Sequence, residues 1–407
     1  MRPCSGPIDV DDRHPSVVYV MPDKLGGVAT IVANLLAYRG ADGWAHRVLL
    51  THNRLDADTR HGAAFAADGC GAFEYTLPVE NLHAVLARLA RALPPGPGVL
   101  VSNDWIELAM LSVRDPGRTV IQILHGDHDY YYDLAVKHEP VIHAWVAYSR
   151  AMYERLRTLL PHRSESIFHL PYGVPIPAAG RAPAPGPLRL LYAGRLENGQ
   201  KGIFDLPLID AQLREVGAKV VWTIVGGGPD EGELRRRWEG GSTVRWLGRH
   251  TSGEVQALEA EHDVFVLPTR AEGFSVALLE AMATGLVPVV SDLESGVPEV
   301  VEEGVGGFRP AVGDVAGFGK AIAELAANRD RLEAMSRTAR RTVAERFDVR
   351  DRAPQYQTLY ARFRELHRPR PADVTLHYGS RLDQPWLPNV AVYAVRAARR
   401  RMRGTPR

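Results

Sequence analysis

Short apolar runs rich in β-branched residues alternate along this chain with longer helix-like stretches. In the first half the predicted strands are Val17–Met21, Arg47–Thr51, Ala72–Leu77, Val99–Ser102, Val120–Leu124, Ile142–Tyr148 and Ser166–Leu170. Helical patterns lie between them at Val28–Tyr38, Leu82–Leu93, Trp105–Val113 and Arg150–Leu159. Strands that alternate with helices in this way predict a parallel sheet covered on both faces.

A proline-rich stretch, Pro171–Pro187, interrupts this alternation, because proline neither continues a helix nor donates within a sheet. Beyond it the pattern resumes, with strands predicted at Leu188–Ala193, Val220–Val225, Val244–Leu247, Val264–Leu267 and Val287–Ser291, and helices at Phe204–Val216, Glu231–Trp238, Ser252–Glu261, Val276–Ala283, Val315–Ala327 and Arg329–Phe347. The chain of 407 residues is also too long for one ordinary core. We therefore predict an α/β protein with two Rossmann-like, doubly wound domains that face a central cleft.

The predicted organisation has five parts. Residues 1–175 form the N-terminal domain, 176–187 the linker and 188–348 the C-terminal domain. A closing helix at 349–367 and a basic tail at 368–407 follow. Because ligands of such folds bind beyond the carboxyl ends of the strands, function is sought in the loops that follow strands.

Charge and cysteine content exclude several classes of protein. The 49 basic and 48 acidic side chains leave a net charge of +1, whereas a nucleic-acid-binding protein usually carries a clear excess of Lys and Arg. Only Cys4 and Cys70 occur, so neither a disulfide framework nor a four-thiolate zinc site is expected and a reducing compartment is favoured. The first residues lack the apolar core of a signal peptide, and no run approaches the roughly 20 apolar residues of a membrane span. We expect a cytoplasmic protein with no nucleic-acid partner.

Gly26 and Gly27 lie between the first predicted strand and the first predicted helix. Glycines at such a position let the backbone approach a ligand closely, and the first amides of the helix bind an anion. A tight strand-to-helix turn would use glycine as well.

A second glycine turn, Gly226 to Pro229, lies after a predicted strand, where a dinucleotide fingerprint has the form G-x-G-x-x-G. The pattern fails, because Glu231 or Pro229 occupies a required glycine position. Trp246 also stands where an acid would bind the ribose. The turn therefore does not indicate NAD binding.

A polar turn with two cations follows the first strand of the second domain. Arg195 and Lys201 are six residues apart in it, so both side chains could converge on one phosphate or diphosphate. Gly194 and Gly202 flank them, and lysine is scarce in this chain. The alternative is a solvated loop, but the position after a strand favours a binding role.

Two glutamates lie around the start of a later predicted helix. Glu272 ends the loop after Val264–Leu267, and Glu280 lies within the helix, where five residues rise by about 7.5 Å. That spacing suits two acids that grip hydroxyl groups on either side of a diphosphate bound at the first helical amides. A salt-bridged surface is the alternative, but the apolar neighbours of Glu280 make it less expected.

With these residues the chain resembles the retaining glycosyltransferases of the GT-B fold, in the GT4-like group also called glycosyltransferase group 1. The resemblance runs from Gly26 to about Phe347, and its most specific part is the E-x7-E segment from Glu272 to Glu280. Two segments depart from the family pattern. Pro171–Val174 stands where relatives often have Asn-Gly-Val, and Asp292–Glu299 is an irregular form of a glycine-rich turn.

The resemblance implies a role for each residue. Arg195, Lys201, Glu272 and His125 would act on the reacting diphosphate and sugar, with the two cations neutralising the leaving diphosphate and Glu272 contacting sugar hydroxyls. Glu280 would bind the ribose. The remaining donor-binding positions are Gly26, Gly27, Gly194, Gly226, Gly227 and the amides of Phe274, Ser275 and Val276. The N-terminal domain would take the acceptor, and the closing helix would cross back onto it.

His125 has two further interpretations through its neighbours. Together with Asp127, His128 and Asp129 it could ligate a divalent metal ion. The spacing of the two aspartates also fits the D-x-D motif of metal-dependent transferases of another fold, although Asp9–Asp11 and Asp56–Asp58 fit the same weak pattern. The resemblance favours a contact with sugar or acceptor, so no metal is assigned.

The predicted activity is transfer of a sugar, with retention, from a nucleotide diphosphate donor carrying UDP or GDP to an acceptor hydroxyl. Acceptors would be sugars, lipid-linked groups or small molecules, in glycan, glycolipid or natural-product synthesis. Cations and amides stabilise the leaving charge, so the reaction would need neither metal nor cofactor. A nucleotide-sugar epimerase of the same fold and a non-catalytic sugar-nucleotide-binding module are the alternatives.

The tail suggests a second kind of partner. Residues 389–407 hold six arginines and no acid: Arg396, Arg399, Arg400, Arg401, Arg403 and Arg407. If this segment is helical, its valines and Tyr393 could touch an anionic membrane surface at the inner face of the cell membrane. A disordered, solvated end is the alternative.

Overall fold

The computed structural model describes residues 15–24, 26–56, 65–371, 376 and 378–402. Several sequence features considered above lie outside these ranges: Cys4, Asp9, Asp11, Asp58, Arg403 and Arg407.

Seven parallel strands form the first sheet, in the order β3-β2-β1-β4-β5-β6-β7. They are β1 (Ser16–Pro22), β2 (Ala45–Asn53), β3 (Gly69–Tyr75), β4 (Gly98–Ser102), β5 (Thr119–Ile123), β6 (Ala144–Ala147) and β7 (Ile167–His169). The helices of this domain are α1 (Gly27–Ala37), α2 (Leu82–Ala92), α3 (Ile106–Met110), α4 (Asp129–Lys137) and α5 (Arg150–Leu159). Residues 17–21 of β1 are all buried, as expected for a sheet that is covered on both faces.

Five parallel strands form the second sheet, in the order β10-β9-β8-β11-β12. They are β8 (Leu188–Ala193), β9 (Val220–Val225), β10 (Val244–Gly248), β11 (Val264–Leu267) and β12 (Val287–Val290). The helices are α6 (Asn198–Lys201), α7 (Asp205–Glu215), α8 (Glu231–Arg237), α9 (Ser252–Glu259), α10 (Val276–Thr284), α11 (Val297–Val300), α12 (Val315–Ala327) and α13 (Arg329–Arg346). The prediction of two doubly wound α/β domains is confirmed.

The strand orders fix where a ligand can bind. In the first sheet the chain reverses its direction of winding between β1 and β4, and in the second between β8 and β11. At such a switch point the two flanking loops leave in opposite directions, which opens a crevice beyond the strand ends. The loops that start at Asp23, Asn103, Gly194 and Pro268 lie at these two crevices.

After the second domain the chain returns to the first. Helices α14 (Val349–Ala361) and α15 (Phe363–Leu366) make this return. The Gln357 side-chain amide exchanges hydrogen bonds of 2.8 and 3.0 Å with the backbone of Gly40. Thr119 Oγ1 donates to the Phe363 carbonyl at 2.7 Å. These contacts tie the end of the chain to the first sheet.

A last helix, α16 (Asn389–Met402), follows. Among the residues described, no helix is both long and apolar enough to cross a membrane. Cys70 in β3 takes part in a disulfide bond. The low cysteine content led us to expect no disulfide framework, and composition alone cannot exclude a single bond.

Several elements differ from their prediction, and two of these differences have a clear physical cause. β3 spans Gly69–Tyr75 rather than Ala72–Leu77, because its pairing with β2 runs from Gly69 to Tyr75 and glycine hides the start of a strand in sequence. Helix α4 was not predicted, since its first turn holds three tyrosines, which are weaker helix formers than alanine or leucine. Burial of Tyr132 and Ala135 stabilises it instead.

Candidate active site

The first turns of α1 and α10 face each other across the cleft. A Cβ added to Gly27 would lie 3.3 Å from Val276 Cγ2, so the two helix starts are nearly in contact. Gly26 precedes α1 with φ of 146°, a conformation that favours glycine, and it offers no side chain as a cap. The positive ends of two helix dipoles therefore point into one space, which suits an anion.

Lys201 and Glu272 form an ion pair at the end of the second sheet. Lys201 ends α6 and Glu272 lies in the loop after β11, and their side chains are 19% and 10% exposed. The pair brings together two residues that the sequence predicted for one site. Arg195, in contrast, is exposed, and its guanidinium has no ion pair within the part of the chain that the structure describes.

The short α6 that carries Lys201 is fixed by its own loop. The Glu197 carboxylate accepts hydrogen bonds from the amides of Gly199 and Gln200. Gly202 ends the helix with φ of 62°, and a Cβ there would overlap the Pro268 carbonyl oxygen. The Gln200 carbonyl in turn accepts from Arg270 N at 2.7 Å. The loops after β8 and β11 thus form one rigid unit.

Glu280 is a half-buried acid with a perturbed pKa. It lies on α10, and its carboxylate accepts a hydrogen bond of 2.7 Å from Ser252 Oγ. Burial raises its pKa to about 7, and the Ser252 hydrogen bond opposes part of that rise. Glu280 is thus poised to change charge near neutral pH, whereas Glu272 has a cation beside it.

The start of α10 is shaped by Ser275 and Phe274. Ser275 Oγ accepts from Leu278 N, which caps the helix. Phe274 is buried, with its ring edge-on to Tyr172 at 5.4 Å between centroids. The first amides of a helix have no partner within it, so those of Ser275 and Val276, at the start of α10, have no intrahelical acceptor. Donor binding by these amides and by that of Phe274 stays a prediction.

The triple-glycine turn packs against the loop of Arg195. A Cβ on Gly226 would overlap the Gly194 carbonyl oxygen, and one on Gly228 the Leu196 carbonyl oxygen. Leu196 N donates to the Gly227 carbonyl at 3.1 Å. The two backbones approach too closely to leave room for side chains, which is sufficient to explain these glycines. Gly226 and Gly227 therefore pack against the loop that carries Arg195.

His125 lies at the end of β5 with both ring nitrogens engaged. Asn103 Oδ1 is 2.8 Å from Nε2, and the Tyr148 hydroxyl is 3.2 Å from Nδ1. Asn103 Nδ2 donates to the Val20 carbonyl, so Asn103 Oδ1 accepts from Nε2–H and Nδ1 accepts from Tyr148. Burial lowers the pKa of His125 to about 3, which keeps the ring neutral.

The aspartates after His125 do not gather a metal site. The Tyr132 hydroxyl donates to Asp127 at 2.6 Å, and Arg155 pairs with Asp129 at 2.5 Å. Among the described residues no three His, Cys, Asp or Glu side chains are grouped in the manner of metal ligands. In the described structure Asp127 and Asp129 therefore contact Tyr132 and Arg155 rather than each other, and the assignment of no metal stays a prediction.

Contacts between the domains bring His125 close to Glu272. A Cβ on Gly273 would lie 2.9 Å from both Gly126 Cα and Asp127 N. The Tyr172 hydroxyl donates to the Phe274 carbonyl, and the Tyr148 ring packs edge-on against Tyr172. The segments that follow His125 and Glu272 therefore meet across the cleft.

Sequence reasoning missed several residues that support this site. Tyr172 stands where the family pattern often has asparagine, and Glu299 reaches across the cleft to accept from Arg150 N at 2.5 Å. Tyr172 and Glu299 lie in the two segments that depart from the family pattern, and no other feature of the sequence singled them out. Glu107 is fully buried and accepts from Asn103 N at 2.7 Å, and burial together with the charge of Asp104 raises its pKa to about 7. An acid at a helix start after a strand was the available signal for Glu107.

Part of this chain is similar in sequence to known proteins. Residues 187–328 match the family model described as glycosyl transferases group 1. Glycogen synthase of Mycobacterium tuberculosis is 32% identical over 217 residues, covering 53% of this chain and 49% of that protein. The amylovoran biosynthesis glycosyltransferase AmsK of Erwinia amylovora is 36% identical over 137 residues, covering 31% of this chain and 33% of that protein. The chain thus spans half or less of the length of these curated relatives.

Solved structures extend the likeness to both domains. The crystal structure of HepE from Anabaena in complex with UDP and glucose has a TM-score of 0.69 and 18% sequence identity. The structural match covers 86% of this chain and 100% of HepE. At this level of identity the likeness establishes the fold, which is GT-B.

Proposed function

We propose that this chain transfers a sugar from a nucleoside diphosphate sugar to an acceptor hydroxyl, because residues 187–328 match the model of glycosyl transferases group 1 and the two domains have the GT-B fold. The observation that carries the proposal is the Lys201–Glu272 pair beside two converging helix starts. An anion and a polyol are the chemical groups that such a site accommodates together.

The proposed roles follow from charge. The bond between the anomeric carbon and the diphosphate oxygen breaks, which leaves positive charge on the sugar and negative charge on the phosphate. Arg195, Lys201 and the amides at the starts of α1 and α10 stabilise the phosphate. Glu272 accepts from sugar hydroxyls, and Glu280 accepts from the ribose. Neutral His125 borders the sugar, held by Asn103 and Tyr148.

We propose a retaining reaction in which the leaving phosphate takes the proton from the acceptor hydroxyl on the same face, as the family resemblance implies. The acceptor oxygen then bonds to the anomeric carbon. Metal independence is part of the proposal, since Arg195 and Lys201 supply the positive charge that a metal ion would otherwise provide. UDP is the favoured nucleotide, because HepE, with the same fold, has been seen with UDP.

The domain roles and the setting complete the proposal. Residues 1–175 hold the acceptor and 188–348 the nucleotide, with 176–187 as linker, 349–367 as the returning helices and 368–407 as the basic tail. We propose a cytoplasmic setting, in which the disulfide of Cys70 would be reduced. The acceptor is a hydroxyl-bearing sugar, lipid-linked group or small molecule.

The experiment that tests the site compares Lys201→Ala and Glu280→Ala with Lys219→Ala, an exposed lysine outside the cleft. Donors are first chosen from a panel of nucleotide sugars by thermal shift, since a bound donor stabilises the fold by mass action. Loss of Lys201 is expected to lower turnover by about 10²–10³-fold, while Lys219→Ala retains wild-type activity. Full activity in both cleft variants would refute the assignment.

Three measurements separate the finer parts of the proposal. The anomeric configuration of the product, determined by NMR, distinguishes retention from inversion. Turnover in excess EDTA tests metal independence. Donor conversion without acceptor would indicate an epimerase, and donor binding without any turnover would indicate a non-catalytic module.

A further inference from the structure

Helix α16 is attached to the N-terminal domain by one face. Val392 is only 1% exposed, and Asn389 Oδ1 accepts from Asn81 N at 2.7 Å, at the start of α2. The Arg396 guanidinium donates to Asp383 at 2.6 Å and to the Glu80 carbonyl at 2.5 Å. These contacts are to fixed partners, so α16 is held in a defined orientation.

The opposite side of α16 is apolar and open to solvent. Val390 is 81% exposed and Tyr393 49%, and Trp386, just before the helix, is 74% exposed. Successive helical residues are about 100° apart, so Val390 points about 160° away from the buried Val392. Large apolar side chains in such a group mark a surface that contacts another phase or partner. Tyr393 lies about 60° from Val390 around the helix, on the same side. We call Trp386, Val390 and Tyr393 the apolar face.

The charge of the segment after Asp383 indicates which kind of partner the apolar face contacts. Asp383 is the last acid in the chain, and six arginines follow it. One of them, Arg396, is used in attachment, while Arg399 is exposed. An apolar helix face that begins with tryptophan, next to arginines without acids, is the combination that binds at the interface of an anionic bilayer.

We propose that the apolar face and the arginines after it dock this chain on an anionic lipid membrane. The attachment of α16 to the N-terminal domain directs that domain toward the bilayer. Since the N-terminal domain takes the acceptor in the proposed function, on which this step rests, the acceptor is lipid-linked. A soluble acceptor would gain nothing from such an orientation.

Co-sedimentation of the full-length chain with vesicles tests the docking. We expect binding to vesicles that contain phosphatidylglycerol, weaker binding to phosphatidylcholine alone, and loss of binding at high salt because salt screens the charge. Two variants probe the two parts of the surface: Val390→Gln with Tyr393→Gln, and Arg399→Gln with Arg400→Gln and Arg401→Gln. The second should weaken binding to anionic vesicles on the order of 100-fold, about fivefold per arginine.

Matched controls lie in the C-terminal domain. Leu208 and Val216 are 54% and 68% exposed, so their double change to Gln removes similar apolar surface from another face. Arg235, Arg236 and Arg237 are three consecutive exposed arginines on α8, and their change to Gln removes the same charge. Both controls should bind vesicles as wild type does.

The outcomes are decisive. The proposal would be refuted if the wild-type chain failed to bind anionic vesicles. It would also be refuted if both tail variants bound these vesicles as strongly as the wild type does. If instead the tail variants convert a dimer to a monomer in analytical ultracentrifugation without any vesicle binding, a second copy covers the apolar face and the proposal is also refuted. Thermal stabilisation by UDP is measured separately: its absence would defeat the proposed function and the acceptor class, but not the vesicle binding.

Discussion

Two glutamates eight positions apart have opposite electrostatic surroundings. Glu272 is paired with Lys201, whereas Glu280 accepts from a neutral serine and has a pKa near 7. One acid therefore has a counter-ion beside it, and the other gains its full charge only as the pH rises past neutrality. In the proposed function, this difference separates the acid assigned to the reacting sugar from the acid assigned to the ribose.

We expect the affinity for UDP to depend on the charge of Glu280. A carboxylate makes hydrogen bonds to hydroxyl groups that are about twice as strong as those of a neutral acid. Because the pKa of Glu280 is about 7, the ionised fraction of its carboxyl group increases as the pH rises from 6 to 8. Its hydrogen bonds to the ribose become stronger over the same range. We expect the affinity for UDP, measured by isothermal titration calorimetry, to rise about fivefold over this range, equivalent to about 1 kcal/mol.

The control is Glu280→Gln, which keeps the shape of the side chain but cannot ionise. Any pH dependence of the phosphates themselves persists in this variant, so the difference between the two proteins isolates Glu280. An identical pH profile in both would show that the carboxylate does not bind the ribose.

The protonation of His125 gives a second prediction. Its pKa of about 3 means that the imidazole ring stays neutral between pH 5 and 8, and its NMR signals should not titrate there. In Asn103→Asp a carboxylate would face Nε2 and raise the pKa of His125, so titration should enter this range. His125→Gln assigns the signals, and a titrating His125 in the wild type would contradict the prediction.

At the scale of elements, two loops of the second domain are interlocked through glycine. The turn that starts at Gly226 has φ of 136° and leaves no room for a side chain above the Gly194 carbonyl. This turn holds the loop that presents Arg195, so a defect there should affect both folding and the site. Gly240 also has positive φ, but open space surrounds it.

Gly226→Ala and Gly240→Ala therefore separate backbone strain from steric overlap. Both changes cost about 1 kcal/mol for the left-handed backbone conformation, but only Gly226→Ala adds a clash. For a domain of 150–250 residues 1 kcal/mol lowers the Tm by about 2–4 °C, so we expect a loss in that range for Gly240→Ala and a clearly larger one for Gly226→Ala. Equal melting temperatures by calorimetry would contradict the interlocked packing.

At the scale of the whole molecule, polar contacts hold the two domains together around the cleft. The Glu299 carboxylate at α11 accepts from Arg150 N at the start of α5, which is a favourable site for a negative charge. Tyr172 and Phe274 make a second bridge near the linker. Particular polar groups therefore contribute to the arrangement of the two domains, beside apolar contacts that run from one domain into the other.

Removal of the Glu299 carboxylate should favour separation of the domains. A hydrogen bond to a charged group contributes about 1.5–3 kcal/mol, so Glu299→Ala should shift the balance toward an open form by about tenfold or more. Small-angle X-ray scattering would detect an increased radius of gyration without nucleotide, and added UDP should reverse it. Glu302→Ala, at an exposed position in the same segment, should leave the scattering unchanged; an unchanged Glu299→Ala would argue against this bridge.

Much of the fold was predictable because its signals are local. The limits of β8, β9 and β11 follow directly from apolar runs in the sequence, and Lys201 and Glu272 could be assigned to one site because both lie after strands of one sheet. What could not be predicted depends on distant partners. Asn103 fixes His125 from 22 positions away, and Arg396 finds Glu80 across 316 positions. Neither pairing leaves a trace in periodicity or composition.

The two helix starts that face each other across the cleft have a consequence for turnover. When the sugar leaves, the nucleotide keeps the bridging oxygen, and once the proton taken from the acceptor passes to solvent it carries one more negative charge than the donor. The product then attracts both positive helix ends more strongly than the donor did. The enzyme should then bind its spent nucleotide more tightly than its substrate. Strong product inhibition, and a rate limited by nucleotide release rather than by bond breaking, are the expected kinetic signature of this arrangement.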